Sequence, residues 1–257
     1  MPRPATHTWQ SRATVPAPLF VDAHSHVVPS GDDGAVTVEE GIELCRLAAD
    51  AGTRVLFATP HVHAAWDSFP WSAARERLYE ESFPVVREGA AAVGLELRCG
   101  FEVFPSEVLE RDVEPLRLEG TEAVLVEFPG FWLDLPGQLR LVAAAAEKIV
   151  AAGLTPVLAH PERCREVARD PEALAPWVER GWLLCLNGPS LVGDHGRTAE
   201  RVAWELLEAR LVALVASDGH RARRPPVLDE AHLAVCARLG EEHAGRLFDG
   251  SALPWTT

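Results

Sequence analysis

Seven short apolar runs punctuate the chain: residues 19–24 (LFVDAH), 54–61 (RVLFATPH), 95–102 (LELRCGFE), 123–129 (AVLVEFP), 155–162 (TPVLAHPE), 182–188 (WLLCLNG) and 211–220 (LVALVASDGH). Hydrophobicity within each run is nearly continuous rather than alternating. That pattern predicts strands buried on both faces, as in a parallel sheet. Longer stretches with helical spacing lie between them. Residues 38–52 carry Ile42, Cys45, Leu47 and Ala48 at helical intervals and close on Gly52. Residues 137–153 are alanine-rich and also end in glycine, and 197–211 and 227–240 follow the same pattern. The alternation predicts about seven βα units, hence a parallel sheet covered by helices, either closed into a barrel or open and doubly wound. No glycine-rich phosphate loop follows the first strand, so a dinucleotide-binding reading lacks its fingerprint.

The length of 257 residues suits one α/β barrel. Residues 1–17, with their Pro, Thr and Ala, are expected to form a flexible leader, leaving 18–257 as one domain. No run approaches the roughly 18 uncharged apolar residues of a membrane span, and the N-terminus lacks the apolar core of a signal peptide. A net charge of −14 disfavours general nucleic-acid binding, and an anionic substrate would need a local basic patch. Five cysteines without a C-x-x-C pair predict reduced thiols in a cytoplasmic protein.

The polar residues that interrupt the apolar runs fall at their C-terminal ends. Asp22, His24 and His26 end the first run, His61 the second, Glu102 the third, Glu127 the fourth and His160 the fifth. Asp218 and His220 end the seventh. In a parallel barrel these ends converge on the face where active sites are built. Five of the ten histidines sit there. Ionisable groups this crowded are costly to bury unless a cation compensates them, and neutral imidazole and carboxylate are metal ligands. A single strand-end histidine is more often a hydrogen-bonded structural group. The D-x-H-x-H spacing at 22–26 argues otherwise, because alternate strand residues point the same way and can share an ion.

The motifs VDAHSH (21–26), DDG (32–34), ATPH (58–61), GFEV (100–103), VEFP (126–129), AHPER (159–163), NGPSLVGDHG (187–196) and ASDGH (216–220) together resemble the PHP (polymerase and histidinol phosphatase) superfamily. More narrowly, they resemble its bacterial manganese-dependent protein-tyrosine phosphatases of capsule and exopolysaccharide systems, the CpsB/YwqE type. The resemblance implies a single-domain, distorted (β/α)7 TIM-like barrel holding three metal ions, usually manganese, with Fe²⁺ or Zn²⁺ as alternatives. His24, His26, Glu102 and Asp218 would hold one ion. Glu102 would bridge to a second, also bound by Glu127 and His160. Asp33, His61 and His220 would hold the third, with Asp32 the adjacent candidate. Asp22 would orient a ligand histidine from behind. The cluster would supply hydroxide for attack on phosphorus, with Arg163 and Arg224 on the phosphate oxygens. Arg224 stands one residue nearer SDGH than is common in the family. The second-strand motif here is PHVH rather than the frequent P-H-H, so His63 is not expected as a ligand. The implied partner is a tyrosine-phosphorylated protein, the tail of a membrane-associated tyrosine autokinase controlling polysaccharide export.

Other readings remain beside this one. A small-molecule PHP phosphatase, such as a histidinol-phosphate phosphatase, is the nearest alternative, although such enzymes often carry histidine where this chain has Asp33 and Glu127. A non-catalytic metal-holding barrel and a PHP nuclease are further readings, the nuclease disfavoured by the charge. A cysteine-dependent phosphatase is excluded, because no cysteine has an arginine six positions on. His195 is either a leaving-group acid or a plain loop histidine. Trp66, Phe69, Trp71, Phe131 and Trp132 are either a wall for a tyrosine ring or ordinary core and lid.

Overall fold

A computed structural model describes residues 19–63, 69–131 and 137–256. The expected leader over 1–17, and Trp66 and Trp132, lie outside the described residues. The seven apolar runs form nine strands: β1 (Phe20–Ser25), β2 (Thr53–Ala58), β3 (His61–Val62), β4 (Glu96–Cys99), β5 (Glu102–Val103), β6 (Ala123–Glu127), β7 (Thr155–Ala159), β8 (Leu183–Asn187) and β9 (Val212–Ala216). Two runs are broken in the middle. Pro60 cannot donate to a ladder and separates β2 from β3. Gly100 and Phe101 separate β4 from β5.

All strand pairs are parallel. One sheet has the order β1-β2-β4 and the other β3-β5-β6-β7-β8-β9. Each broken run gives one strand to each sheet, and backbone bonds from Gly100 to Ala58 (3.0 Å) and Glu102 to Pro60 (3.1 Å) bridge the breaks. At the far end, Asp218 N donates to His24 O (2.9 Å) and His26 N to Gly219 O (2.6 Å), joining β1 to the chain leaving β9. The runs thus follow one another in the order expected of a distorted (β/α)7 barrel.

Period-two alternation divides the core. Leu125, Val157, Cys185 and Leu214 face a shared interior cluster. Their neighbours Val124, Val126, Leu158, Leu184 and Val215 face the outer layer, where the helices Gln138–Ala151 and Arg197–Glu208 cover the strands. Continued to the strand ends, the inward set reaches Glu127 and Asn187, which is why these polar residues are buried at the mouth. The helix Val38–Asp50 starts with a reciprocal cap: Thr37 Oγ1 accepts from Glu40 N, and Glu40 Oε2 accepts from Val36 N. No helix among the described residues is long and apolar enough to cross a membrane.

Candidate metal centre

The structure brings every strand-end histidine and carboxylate of the sequence pattern to one mouth. Alternation along β1 turns His24 and His26 to the same mouth, with their Nε2 atoms 3.2 Å apart. Glu102 lies between the rings. Its Oε2 stands 3.1 Å from His24 Nε2, 3.3 Å from His26 Nε2 and 2.9 Å from His61 Nδ1, while its Oε1 meets His160 Nε2 at 2.7 Å. His160 follows a residue that faces the interior, so simple alternation would turn it outward. Its left-handed backbone (φ 42°) brings it back. Asp218 is also left-handed (φ 50°). Such φ values are uncommon outside glycine and concentrate at functional sites, where packing over-determines them.

Asp33 Oδ1 stands 3.1 Å from His220 Nε2 and 3.6 Å from His61 Nε2. Asp32 instead faces inward. Its Oδ2 meets His26 Nδ1 at 3.2 Å and accepts from the His61 amide, so it holds the side of His26 away from Glu102. Gly34 permits this turn, since a Cβ there would lie 2.3 Å from the His26 carbonyl. Asp22 Oδ1 accepts from the amides of His24 and Ser217 and so ties the ends of β1 and β9 together. Its carboxyl is pushed up to about 6 by burial.

Among the described residues, ligand-type atoms form four groups, each within 4.8 Å: His26, Asp33, His61 and His220; His24, His26 and Asp218; His24, Glu102 and His160; and His61, His63 and Glu127. His160 lies beside Glu102, as the family resemblance implies. Glu127 sits with His61 and with His63, whose Nε2 is 2.7 Å from Glu127 Oε2. His63, not expected as a ligand, therefore belongs to the cluster. The alternation of H-x-H at 61–63, the same signal as at 24–26, marks it. Asn187 joins the site as well. Its Nδ2 donates to Asp218 Oδ2 at 2.7 Å.

The side chains fit divalent metal ions. Glu102 Oε2 has three imidazole nitrogens within 3.3 Å yet no hydrogen bond of acceptable geometry to any of them. Two Nε2 atoms at 3.2 Å cannot both present lone pairs to one another without a proton or a cation between them. The donor set of imidazole and carboxylate without thiolate suits Mn²⁺, Fe²⁺ or Zn²⁺.

Protons take the place of cations when ions are absent. Burial opposes a charge on His26, but the hydrogen bond to Asp32 and the adjacent Glu102 carboxylate overcome it and raise this imidazole to about 9. Burial also opposes a charge on His61, yet Glu102 and Asp33 hold it well above its ordinary value. These protons must leave for the nitrogens to bind an ion, so metal affinity rises with pH up to about 9 and falls below it. Calorimetric titration with Mn²⁺ at pH 7, in two buffers of different ionisation enthalpy, should show net proton release. The melting temperature should rise on loading. Equal heats in both buffers would contradict the expected displacement.

The cluster floors a cleft of about 270 Å³, walled by Phe69, Arg163 and Arg224. Phe69 stacks over His61 with the ring planes 5° apart. Both arginines reach Asp218 Oδ2, Arg163 Nη1 at 3.0 Å and Arg224 Nη2 at 2.9 Å. Together with Asn187 they occupy that oxygen and leave Oδ1 toward His24 and His26 (3.5 and 3.6 Å). Trp71 packs edge-on against Phe101 and under Arg75, a core position. Arg221 pairs with Glu40 on the surface. His195 Nδ1 meets Ser190 Oγ at 2.9 Å, and Ser190 donates onward to Glu162.

Fold and cluster together define a class: parallel α/β proteins that gather metal-ligand side chains at their strand ends. Within it, the chain belongs to the CpsB/CapC family of capsular polysaccharide synthesis, whose pattern matches residues 20–253. It is 32% identical over 207 residues to the tyrosine-protein phosphatase YwqE of Bacillus subtilis (strain 168), covering 79% of this chain and 78% of that one. It is 29% identical over 240 residues to the tyrosine-protein phosphatase CpsB of Streptococcus agalactiae serotype III (strain NEM316), covering 89% and 95%. A solved structure from work on YwqE of Bacillus subtilis and CpsB of Streptococcus pneumoniae, described as metal-dependent tyrosine phosphatases, superposes with a TM-score of 0.72 at 28% identity, covering 88% of this chain and 90% of that one. A dihydropyrimidinase from Brevibacillus agri, at 12% identity and a TM-score of 0.55, shares the fold alone.

Proposed function

We propose that this chain is a metal-dependent phosphatase that hydrolyses phosphotyrosine in proteins and serves capsular or exopolysaccharide synthesis. The observation that carries the reading is Glu102 Oε2 among three imidazole nitrogens on the floor of an arginine-walled cleft. The family relationship and the naming of its relatives as tyrosine-protein phosphatases support it. We assign His24, His26, Asp33, His61, His63, Glu102, Glu127, His160, Asp218 and His220 to the metals, three Mn²⁺ ions in the preferred reading. We take residues 18–257 as one catalytic domain acting in the cytoplasm, on the phosphotyrosine tail of a membrane-associated autokinase.

Bound divalent ions supply a low-pKa water and positive charge for phosphoryl oxygens. The protein's own groups hold and aim. Asp32 fixes the His26 ring from behind, and Asp22 fixes the strand ends that carry His24 and Asp218. Arg163 and Arg224 stand beside Asp218 at the cleft wall, where a planar guanidinium can meet phosphate oxygens in pairs. Phe69 offers an apolar face to the tyrosine ring. No strong proton donor is required, because tyrosine leaves as a phenolate with a pKa near 10. His195 does not provide one. Burial, aided by Arg163, pushes its imidazole down to about 3, and its Nδ1 is engaged with Ser190. Removal of metal by a chelator should abolish turnover of a phosphotyrosine peptide, and Mn²⁺ should restore it. Full activity in metal-free enzyme, verified by elemental analysis, would refute the assignment.

A further inference from the structure

Beside the metal cleft lies a second hollow of about 430 Å³, lined by Phe131, Arg165, Arg169, His195, Arg197 and Thr198. Its three arginines stand together. Several arginines elsewhere lie on a carboxylate: Arg46 on Glu43 and Asp50, Arg87 on Glu119, Arg201 on Glu205, Arg238 on Glu208, Arg246 on Glu242. Arg165, Arg169 and Arg197 make no ion pair with a carboxylate among the described residues. Their charges therefore add up in one place on a molecule whose net charge is −14.

The hollow adjoins the cleft. Arg165 follows the cleft residue Arg163 by two positions, and His195, which lines the hollow, meets Ser190, whose hydroxyl donates to Glu162, the chain neighbour of Arg163. Arg165 Nε donates to the Phe131 carbonyl at 2.9 Å, which steadies the guanidinium. The helix Arg197–Glu208 begins at the same place, and its positive end favours an anion further.

We propose that this hollow is a substrate subsite that holds an oxyanionic side chain next to the scissile phosphotyrosine, either a carboxylate or a second phosphate. The proposal rests on the phosphotyrosine reading of the metal cleft. With a tyrosyl phosphate in the cleft, the proposal has the flanking residues of the peptide pass along the Arg165–Arg197 side. Guanidinium forks there bind carboxylate and phosphate alike. The contact selects among phosphotyrosine sites by their acidic surroundings, and because it is solvent-exposed it weakens as salt rises.

The test uses the full chain loaded with Mn²⁺ and the double variant Arg169→Ala/Arg197→Ala. Neither side chain belongs to the metal cluster. The substrates are a phosphotyrosine peptide with glutamate on both sides, the same peptide with glutamine, a doubly phosphorylated peptide, and p-nitrophenyl phosphate. Wild type should show a lower KM for the acidic and doubly phosphorylated peptides than for the glutamine peptide. The double variant should raise KM for those two by roughly three- to tenfold, the range for exposed charge-assisted contacts. Turnover of p-nitrophenyl phosphate and of the glutamine peptide should stay unchanged. The larger effect of the two anionic peptides tells carboxylate from phosphate. Equal loss on all four substrates, or no loss on any, overturns the subsite. Fluorescence anisotropy of the labelled, unphosphorylated glutamate peptide reads the subsite without turnover. Weaker binding to the double variant supports the subsite even if the phosphotyrosine reading fails, and unchanged binding overturns it.

Discussion

Glu102→Gln should lower kcat/KM on a phosphotyrosine peptide by at least about a hundredfold, the scale on which preorganised active-site charges act. Glutamine keeps the size and removes the charge. In the native chain that charge is shared: Oε2 has nitrogens of His24, His26 and His61 within 3.3 Å, and Oε1 has His160 at 2.7 Å. Burial alone would raise this carboxyl, yet His24 and His61 hold it well below its ordinary value, so it is a full negative charge at the centre of the cluster. An amide there places an N–H among groups that should face a cation, and both metal affinity and rate should fall. The cleft itself should survive, since Val103 and Phe104 anchor the segment in the core. Steady-state kinetics with elemental analysis of the same sample checks this. Near-normal rate with full metal occupancy would show that Glu102 is not the shared ligand.

Much of this arrangement is legible in the amino-acid sequence. The seven apolar runs and their terminal polar residues anticipate the strands and the mouth, because burial on both faces leaves polar groups only at the strand ends. Other features depend on backbone details that residue spacing does not reveal. The broken runs at Pro60 and Gly100 turn seven strands into nine. The left-handed turn at His160 reverses its direction and brings it onto Glu102, while Glu127 lies with His61 and His63. The choice between Asp32 and Asp33 depends on the turn at Gly34, which sends one carboxylate behind His26 and leaves the other facing His61 and His220. The PHVH motif and the H-x-H alternation at 61–63 point different ways for His63, and its place beside Glu127 follows the alternation. Asn187, an uncharged strand-end residue, carries no signature of a role that consists of holding one oxygen of Asp218.

Phosphotyrosine and other aryl phosphates should be hydrolysed well and alkyl phosphates poorly. The difference lies in the leaving group. Phenolate departs with a pKa near 10, whereas an alkoxide is far more basic and needs a proton donor positioned in the transition state, worth typically 10²–10⁴-fold in rate. This cleft offers arginines and metal-ligand side chains, and His195, the loop histidine weighed as a proton donor, is held neutral with its Nδ1 on Ser190. The preference should therefore be on the order of a hundredfold or more in kcat/KM. Arg163→Ala and Arg224→Ala should each lower kcat/KM on the aryl substrates without emptying the metal sites, because they act on the phosphate side of Asp218. The most direct measurement is turnover of a phosphotyrosine peptide against histidinol phosphate, at matched concentration, by enzyme stripped of metal and refilled with Mn²⁺. Rapid release of phosphate from the peptide and little from histidinol phosphate is the predicted result. Faster release from histidinol phosphate would contradict the account and favour a small-molecule phosphatase.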